Sequence, residues 1–331
     1  MVQGKPTLRT VAQIAGLAVT TVSRALADAP QIAPDTRARV QQIAREIGYS
    51  PDRAAQRLRT GRTNVIALVL NPHEEILGYG SSMIRGISEA LRGSPYHLVV
   101  MPNFADAPEA ETVEKIIRNR LADGVLISRT RPDDLRIRLM LERGFPFVSH
   151  GRTELATPHP WVDYDNRAFA RAATARLAAA GARSPALIAA PPEFTFAHHL
   201  RLGFLRGCEE AGLSGQILDT VTLDSPAEQI YAHIRALLRD PSAPDGFICA
   251  GEVSALAVNA ACIDSGRPAR VVMKTTSQVA QFLRPRFDTI HEDLAEAGRL
   301  MAGLLLRAIA GEPAEALTHL QPAAPFTGDP Q

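Results

Sequence analysis

Four side chains on one short segment carry chemistry suited to a polyanion. Thr20, Thr21 and Ser23 are short hydroxyl donors that reach phosphates or a thymine edge. Arg24 has the planar fork that meets guanine O6 and N7 with two hydrogen bonds. Such a bidentate pair discriminates between bases by about 1–3 kcal/mol. The charge distribution points the same way. Residues 1–63 hold ten Lys/Arg and four Asp/Glu, a balance of +6. The whole chain is only +1, with 36 basic and 35 acidic residues, so the remainder carries 26 against 31, or −5. A basic head on an acidic body suits a polyanionic partner at one end. A solvated basic face would give the same count.

Other chemistries find little support. No Gly-x-Gly-x-x-Gly follows a strand and no phosphate-loop lysine motif is present; Gly78-Tyr79-Gly80 lacks the third glycine. His198-His199 is a tempting metal pair, but neighbours on a helix point about 100° apart and do not easily chelate one ion. There is no Gly-x-Ser-x-Gly elbow. The three cysteines (Cys208, Cys249, Cys262) are far apart and odd in number, which fits buried thiols in a reducing compartment. The expectation is a protein that is not an enzyme, with no catalytic residues, no metal and no cofactor. Composition is that of a globular chain, 46% hydrophobic and 21% charged. No export signal opens the chain and no apolar run nears the roughly 18 residues needed to cross a bilayer, so a cytoplasmic protein is expected.

The elements that must position the hydroxyls and Arg24 are short helices. Thr7 is a plausible N-cap, and Leu8, Val11, Ala12 and Ala15 share one helical face. Gly16 ends that helix, Leu17-Ala18 turn, and a second helix starts near Val19 with Val22 and Leu26 inward. A third runs from about Pro34 to Ile47 on Val40, Ile43, Ala44 and Ile47, and Gly48 ends it. Two short helices around a glycine-containing turn form a helix-turn-helix, with the second helix as reader. Three small helices around a small core would equally suit another interaction module. From Val65 the pattern becomes alternating strand and helix. Strands are expected at Val65–Leu70, His97–Met101, Gly124–Ser128 and Pro146–Ser149, then near Ala186–Ala190, Ile217–Thr222, Gly246–Ala250 and Arg270–Lys274. Two such series imply two lobes with doubly wound parallel sheets, and a ligand cleft where strand C-termini meet.

Residues 15–26, Ala-Gly-Leu-Ala-Val-Thr-Thr-Val-Ser-Arg-Ala-Leu, are followed by Thr36-Arg37, Gly48-Tyr49-x-Pro51 and Ala55-x-x-Leu58. In these the chain resembles the lactose repressor (LacI–GalR) family of transcriptional regulators, and more loosely so to about residue 320. The resemblance implies an α/β protein: an all-α helix-turn-helix head at 1–50, a hinge helix and linker at 51–63, and a two-lobed, periplasmic-binding-protein-like core at 64–331. The first lobe would take about 64–162 and 291–312, the second about 163–290 and 313–322. Val19, Thr20 and Arg24 would read bases, while Thr7, Thr21, Ser23, Thr36 and Tyr49 would contact the DNA backbone. Pro51–Gly61 would be a hinge helix, too short to be stable alone. Its Leu58 would wedge between base steps, with Arg57 beside it neutralising phosphate; a linker with Leu58 docked on the body is the alternative. The implied effector contacts are Asn71, Tyr79, His150, Arg152, Asp163, Phe196, His199, Arg201, Glu252 and Lys274, with Phe194 and Thr275 beside them.

The resemblance therefore implies a repressor of a carbohydrate uptake or catabolism operon. It would bind a near-palindromic double-stranded operator and answer to a sugar-like effector, with a purine, acid or phosphorylated metabolite as the alternative. A solute-binding protein and an enzyme are the competing classes. The tail has no heptads, so a homodimer is expected without a tetramerising coiled coil, and the helix near Met83–Leu91 is a candidate dimer face. The departures are informative. Ala18 replaces a usual serine, and Asp52 stands where asparagine or serine is usual, which suits helix capping. Leu200 takes the place of an arginine now found one residue later, at Arg201. Met273-Lys274-Thr275 falls where many members carry an aspartate, which would favour an acidic or phosphorylated sugar.

Overall fold

The computed structural model describes residues 6–50, 57, 61–70, 78–104, 108–277, 279–283 and 286–326. They form two compact units, Met1–Thr63 and Asn64–Gln331. The expected hinge helix with its Leu58 wedge, the Asp52 cap and the effector residue Asn71 lie outside the described residues.

In the first unit α1 spans Leu8–Ala15, α2 Val19–Leu26 and α3 Pro34–Glu46. Thr7 and Thr10 cap α1 reciprocally. Thr10 N–H donates to the Thr7 hydroxyl at 3.3 Å, and Thr7 N–H donates to the Thr10 hydroxyl at 3.2 Å. Gly16 stops the helix at φ 65°, a left-handed conformation that a Cβ resists. Ala18 precedes α2 and offers no side-chain cap. Val11, Ala12, Ala15, Val22, Ala25, Val40 and Ala44 make the core, with Leu26, Ile43 and Ile47 partly buried around it. The expected inward place of Leu26 is thus shared with Ala25.

The second unit holds two parallel sheets. The strands are β1 (Val65–Leu70), β2 (His97–Pro102), β3 (Gly124–Ser128), β4 (Phe147–His150), β5 (Trp161–Tyr164), β6 (Pro185–Ile188), β7 (Gln216–Ile217), β8 (Gly246–Cys249), β9 (Arg270–Thr275), β10 (Asp288–His291) and β11 (Thr318–Gln321). The six-stranded sheet runs β11-β5-β4-β3-β1-β2 and the five-stranded sheet β10-β9-β8-β6-β7. On one face of the first sheet, Ile66, Leu68, Leu126, Val148 and Val162 pack under α4 (Tyr79–Ala90) and α11 (Leu294–Ile309). On the other face, Ala67, Val69, Val125 and Ile127 pack under α5 (Glu111–Arg118) and α6 (Leu135–Glu142). Burial on both faces is why the strands read as continuous apolar runs. Around the second sheet lie α7 (Asn166–Ala179), α8 (Thr195–Ala211), α9 (Ala227–Leu237) and α10 (Glu252–Asp264).

Helices α4 and α11 meet backbone to backbone. A Cβ on Gly86 would lie 1.9 Å from the Ala295 carbonyl oxygen, and one on Gly298 would lie 2.6 Å from that of Met83. Met83 and Ile87, whose apolar character suggested a dimer face, are buried in this contact. The two helices therefore pack as closely as their backbones allow.

Two expectations are corrected. The segment 313–322, expected in the second lobe, instead adds a strand to the first: β11 pairs with β5, Thr318 opposite Trp161, in the first lobe's sheet. The chain leaves α11 on the first lobe, and the short turn at Ala314–Ala316 returns it to the neighbouring edge, as short connections do. Only after Gln321 does it reach the second lobe, where Ala323, Ala324 and Phe326 pack on the core and Arg176 lies 5.5 Å from the Phe326 ring. β5 likewise belongs whole to the first sheet, so Asp163 and Tyr164 end a first-lobe strand. The strand expected at Ile217–Thr222 shrinks to Gln216–Ile217 at the sheet's edge.

Candidate effector cleft and DNA-reading surface

On the head, the residues expected to read DNA do stand at the surface. Val19, Thr20 and Arg24 are exposed, and Thr21 and Ser23 are half-buried. Thr36 lies half-buried in the first turn of α3, and Tyr49 packs against the core where its N–H donates to Ala44 O at 2.8 Å. Thr7 is exposed, its hydroxyl engaged in the cap described above. Arg57 is exposed, and its carbonyl accepts from Gly61 N–H at 2.8 Å.

In the body, a cleft with about 520 Å³ of empty space opens at the C-terminal ends of the strands of both sheets. Of the expected effector residues, Tyr79, His150, Asp163, Phe196 and Lys274 line it. His150 ends β4, with Nδ1 3.0 Å from the Tyr79 hydroxyl. Burial holds the imidazole below its ordinary pKa and pushes the phenol up, so at neutral pH both are uncharged. The Tyr79 hydroxyl and His150 Nδ1 share one hydrogen bond, and the other ring nitrogen is Nε2. That atom has no hydrogen-bond partner and lies 3.9 Å from Glu292 Oε1.

Asp163 is the centre of a second group. Arg152 Nε donates to its Oδ2 at 2.7 Å, and the guanidinium sits 5.3 Å from the Trp161 ring. His199 Nδ1 lies 3.8 Å from the same oxygen. Burial outweighs the arginine and lifts the carboxyl to about 6, and burial together with Arg152 depresses His199 to about 4. Arg152 and His199, both expected effector contacts, do not line the cavity. Across the floor, Lys274 Nζ lies 2.6 Å from Glu292 Oε2, 3.1 Å from Asn166 Oδ1 and 5.0 Å from the Tyr164 ring. Phe196 stacks on Phe194 with centroids 5.9 Å apart.

Besides Arg152 and His199, two further expected contacts do not line the cleft. Arg201 is paired with Asp219 at 3.0 Å on the outer surface of α8. The cause is the one-residue shift already noted: Leu200 faces the core at 0% exposure, and the next residue is turned about 100° away. Glu252 starts α10 but is buried, with one carboxylate oxygen committed and Oε2 left without a hydrogen-bond partner. Its Oε1 accepts from Thr276 N–H at 3.1 Å, Ser277 N–H at 3.0 Å and Ser277 Oγ at 2.7 Å, tying down the turn after β9. In return the cleft gains Arg129, Tyr164, Asn166, Thr276, Glu292 and Leu294. Arg129 was findable, since it directly follows a buried strand just as His150 ends one. Glu292 required knowing that β10 ends beside β9.

A helix-turn-helix head joined to a two-sheet body with a cleft at the strand ends, lined by aromatic rings and a few polar groups, defines a ligand-responsive DNA-binding protein. Residues 7–52 match the model of bacterial regulatory proteins of the lacI family, and residues 174–329 match a periplasmic binding protein-like domain. The regulator AglR of Rhizobium meliloti (strain 1021) is 32% identical over 90% of this chain and 88% of its own. A solved complex of the regulator CelR with cellobiose superposes with TM-score 0.70 at 27% identity, covering 98% of this chain and 99% of that one. The Lac repressor dimer bound to operator shares the fold, with TM-score 0.81 at 21% identity over 97% of each chain. The chain belongs to the lacI family and is a helix-turn-helix transcriptional regulator. No helix among the described residues is long and apolar enough to cross a membrane.

Proposed function

We propose that this regulator is a homodimeric repressor of a carbohydrate operon and that its effector is a neutral sugar bound in the inter-lobe cleft. The charge balance of the cleft carries the reading. Lys274 stands beside Glu292, Arg152 beside Asp163, and Arg129 beside Asp224. Each cation at the site already has a carboxylate, so an acidic or phosphorylated ligand would break a protein ion pair to gain its own. Lys274, which in sequence pointed to an anionic effector, therefore does not. The other lining groups suit hydroxyl groups and the apolar face of a sugar ring: His150 Nε2, which has no hydrogen-bond partner, the side chains of Asn166 and Thr276, and the Tyr79, Tyr164 and Phe196 rings. The relative CelR was solved with cellobiose, in keeping with this choice.

Each head would place α2 in the major groove of one half-site, with Val19, Thr20 and Arg24 toward the bases and Thr7, Thr21, Ser23, Thr36 and Tyr49 toward phosphates. Effector binding would change operator affinity through its different affinity for the open and closed arrangements of the lobes. The test is a thermal-shift series on the full chain with neutral disaccharides, sugar phosphates, uronic acids and nucleobases. A neutral sugar at about 100 times its Kd should stabilise by about 2.7 kcal/mol. Stabilisation by the anionic sugars alone would refute the reading.

A further inference from the structure

Protein groups from both lobes meet across one side of the cleft, and they converge on Arg129. This residue directly follows β3 with φ 56°, a left-handed conformation costly for a side chain with a Cβ. Its carbonyl is pinned by Arg136 Nη2 at 3.0 Å, and Arg136 is held in turn by the buried Asp134 carboxylate at 2.6 Å. That carboxylate also caps α6 and accepts from Arg131 N–H at 3.2 Å, so the whole 129–134 loop is fixed from beneath. From this base the Arg129 side chain crosses to the second lobe. It forms an ion pair with Asp224, and its guanidinium lies 4.2 Å from the centre of the Phe194 ring. Thr130 O accepts from Thr195 N–H at 2.9 Å and from the Thr195 hydroxyl at 3.2 Å. Arg131 approaches the same Phe194 ring from 5.8 Å.

We propose that residues 129–131 are a latch that holds the lobes closed, with the Arg129–Asp224 ion pair as its fastening. Strain at Arg129 is tolerated because the Asp134–Arg136 pair anchors it, and the strained backbone aims the guanidinium across the gap. Arg129 also lines the cavity while Asp224 does not. A ligand in the cleft therefore touches one half of the latch, which couples occupancy to lobe closure. This coupling rests on the reading of the cleft as the effector site; the latch itself does not.

The test uses the full chain and has two arms. Without ligand, hydrogen exchange at the Thr195 amide and the separation of spin labels at Glu142→Cys and Glu209→Cys are compared between the protein and Asp224→Asn. Both label sites are exposed, and the three native cysteines are buried. The expected result is exchange at Thr195 faster by roughly three- to tenfold and a shift of the label distances to longer values. The double charge reversal Arg129→Asp with Asp224→Arg should restore both. Unchanged exchange and unchanged distances in Asp224→Asn would overturn the latch. In the second arm, cellobiose is titrated. Its Kd should rise in Asp224→Asn by the factor by which the closed population falls. An equal Kd alongside faster exchange would overturn the coupling. Failure of cellobiose and of every other neutral sugar to bind would count against the sugar reading, while the first arm still decides the latch.

Discussion

Replacing Asp163 by asparagine decides whether burial or its ion pair controls the heart of the cleft. The two act in opposite directions. Arg152 at 2.7 Å favours the carboxylate, while near-complete burial disfavours it, and burial prevails, raising the group to about 6. An Asp raised in the folded state binds its proton more tightly there than in the unfolded chain. Its stabilising contribution is therefore complete below the unfolded value near 3.8 and is lost as pH rises through about 6. A shift of about two units corresponds to about 3 kcal/mol. The asparagine has no proton to lose, so the stability of Asp163→Asn relative to the unsubstituted protein should climb by about 2.5 kcal/mol between pH 4 and pH 7. The constant offset from losing Arg152's partner does not alter that slope. His199 supplies the mirror image. Depressed to about 4, it stays neutral when folded, and stability is lost as pH falls from the unfolded value near 6.5 through about 4. Relative to the unsubstituted protein, His199→Gln should therefore gain stability toward low pH. Urea unfolding of each variant at a series of pH values, analysed as a difference from the unsubstituted protein, measures both. A difference for Asp163→Asn that falls as pH rises would mean the ion pair wins, and the burial argument would be wrong.

Other perturbations test other parts. Lys274→Met should destabilise by about 3–5 kcal/mol, because Glu292 would be left buried without its cation; the double variant with Glu292→Met should recover most of that in denaturant titrations. Gly86→Ala should cost about 3 kcal/mol, since its methyl would meet the Ala295 carbonyl oxygen, whereas Gly303→Ala, with open space around it in the same helix pair, should gain up to about 1 kcal/mol; thermal melts distinguish the two. Arg24→Ala should weaken specific operator binding by roughly 1–3 kcal/mol and relax preference at one base pair, while leaving the body's ligand affinity unchanged; equal binding to matched and mismatched operators before and after substitution would remove Arg24 from the reading surface.

The parts of the molecule legible in the sequence are those set by local rules. Gly16, Pro34 and the Thr7 cap mark helix ends because helix termini need partners for their free N–H and C=O groups, and those partners are near in sequence. The two-lobed core was visible because strands buried on both faces are apolar throughout. The last strand was misplaced because nothing local says which sheet an edge strand joins. Thr318–Gln321 is exposed along most of its length and carries no apolar pattern to specify a partner.

The cleft divides along the same line. His150 and Lys274, at strand ends, and Tyr79 and Phe196, at helix starts, were found, while Tyr164, Arg129 and Glu292 were missed. Arg201 and Glu252 illustrate why residue type and approximate register are not enough. A one-residue displacement on a helix leaves an arginine at the outer surface, and a carboxylate at a helix start gives one oxygen to the turn after β9 and does not line the cavity. Lys274 shows the converse. Its position was read correctly and its meaning was not, because a buried lysine is interpretable only with its counter-ion, and Glu292 arrives from the crossover segment. Charge in a closed site is a property of pairs. The chemistry of the effector therefore follows from which pairs are already made across the two sheets, not from the sign of any one side chain.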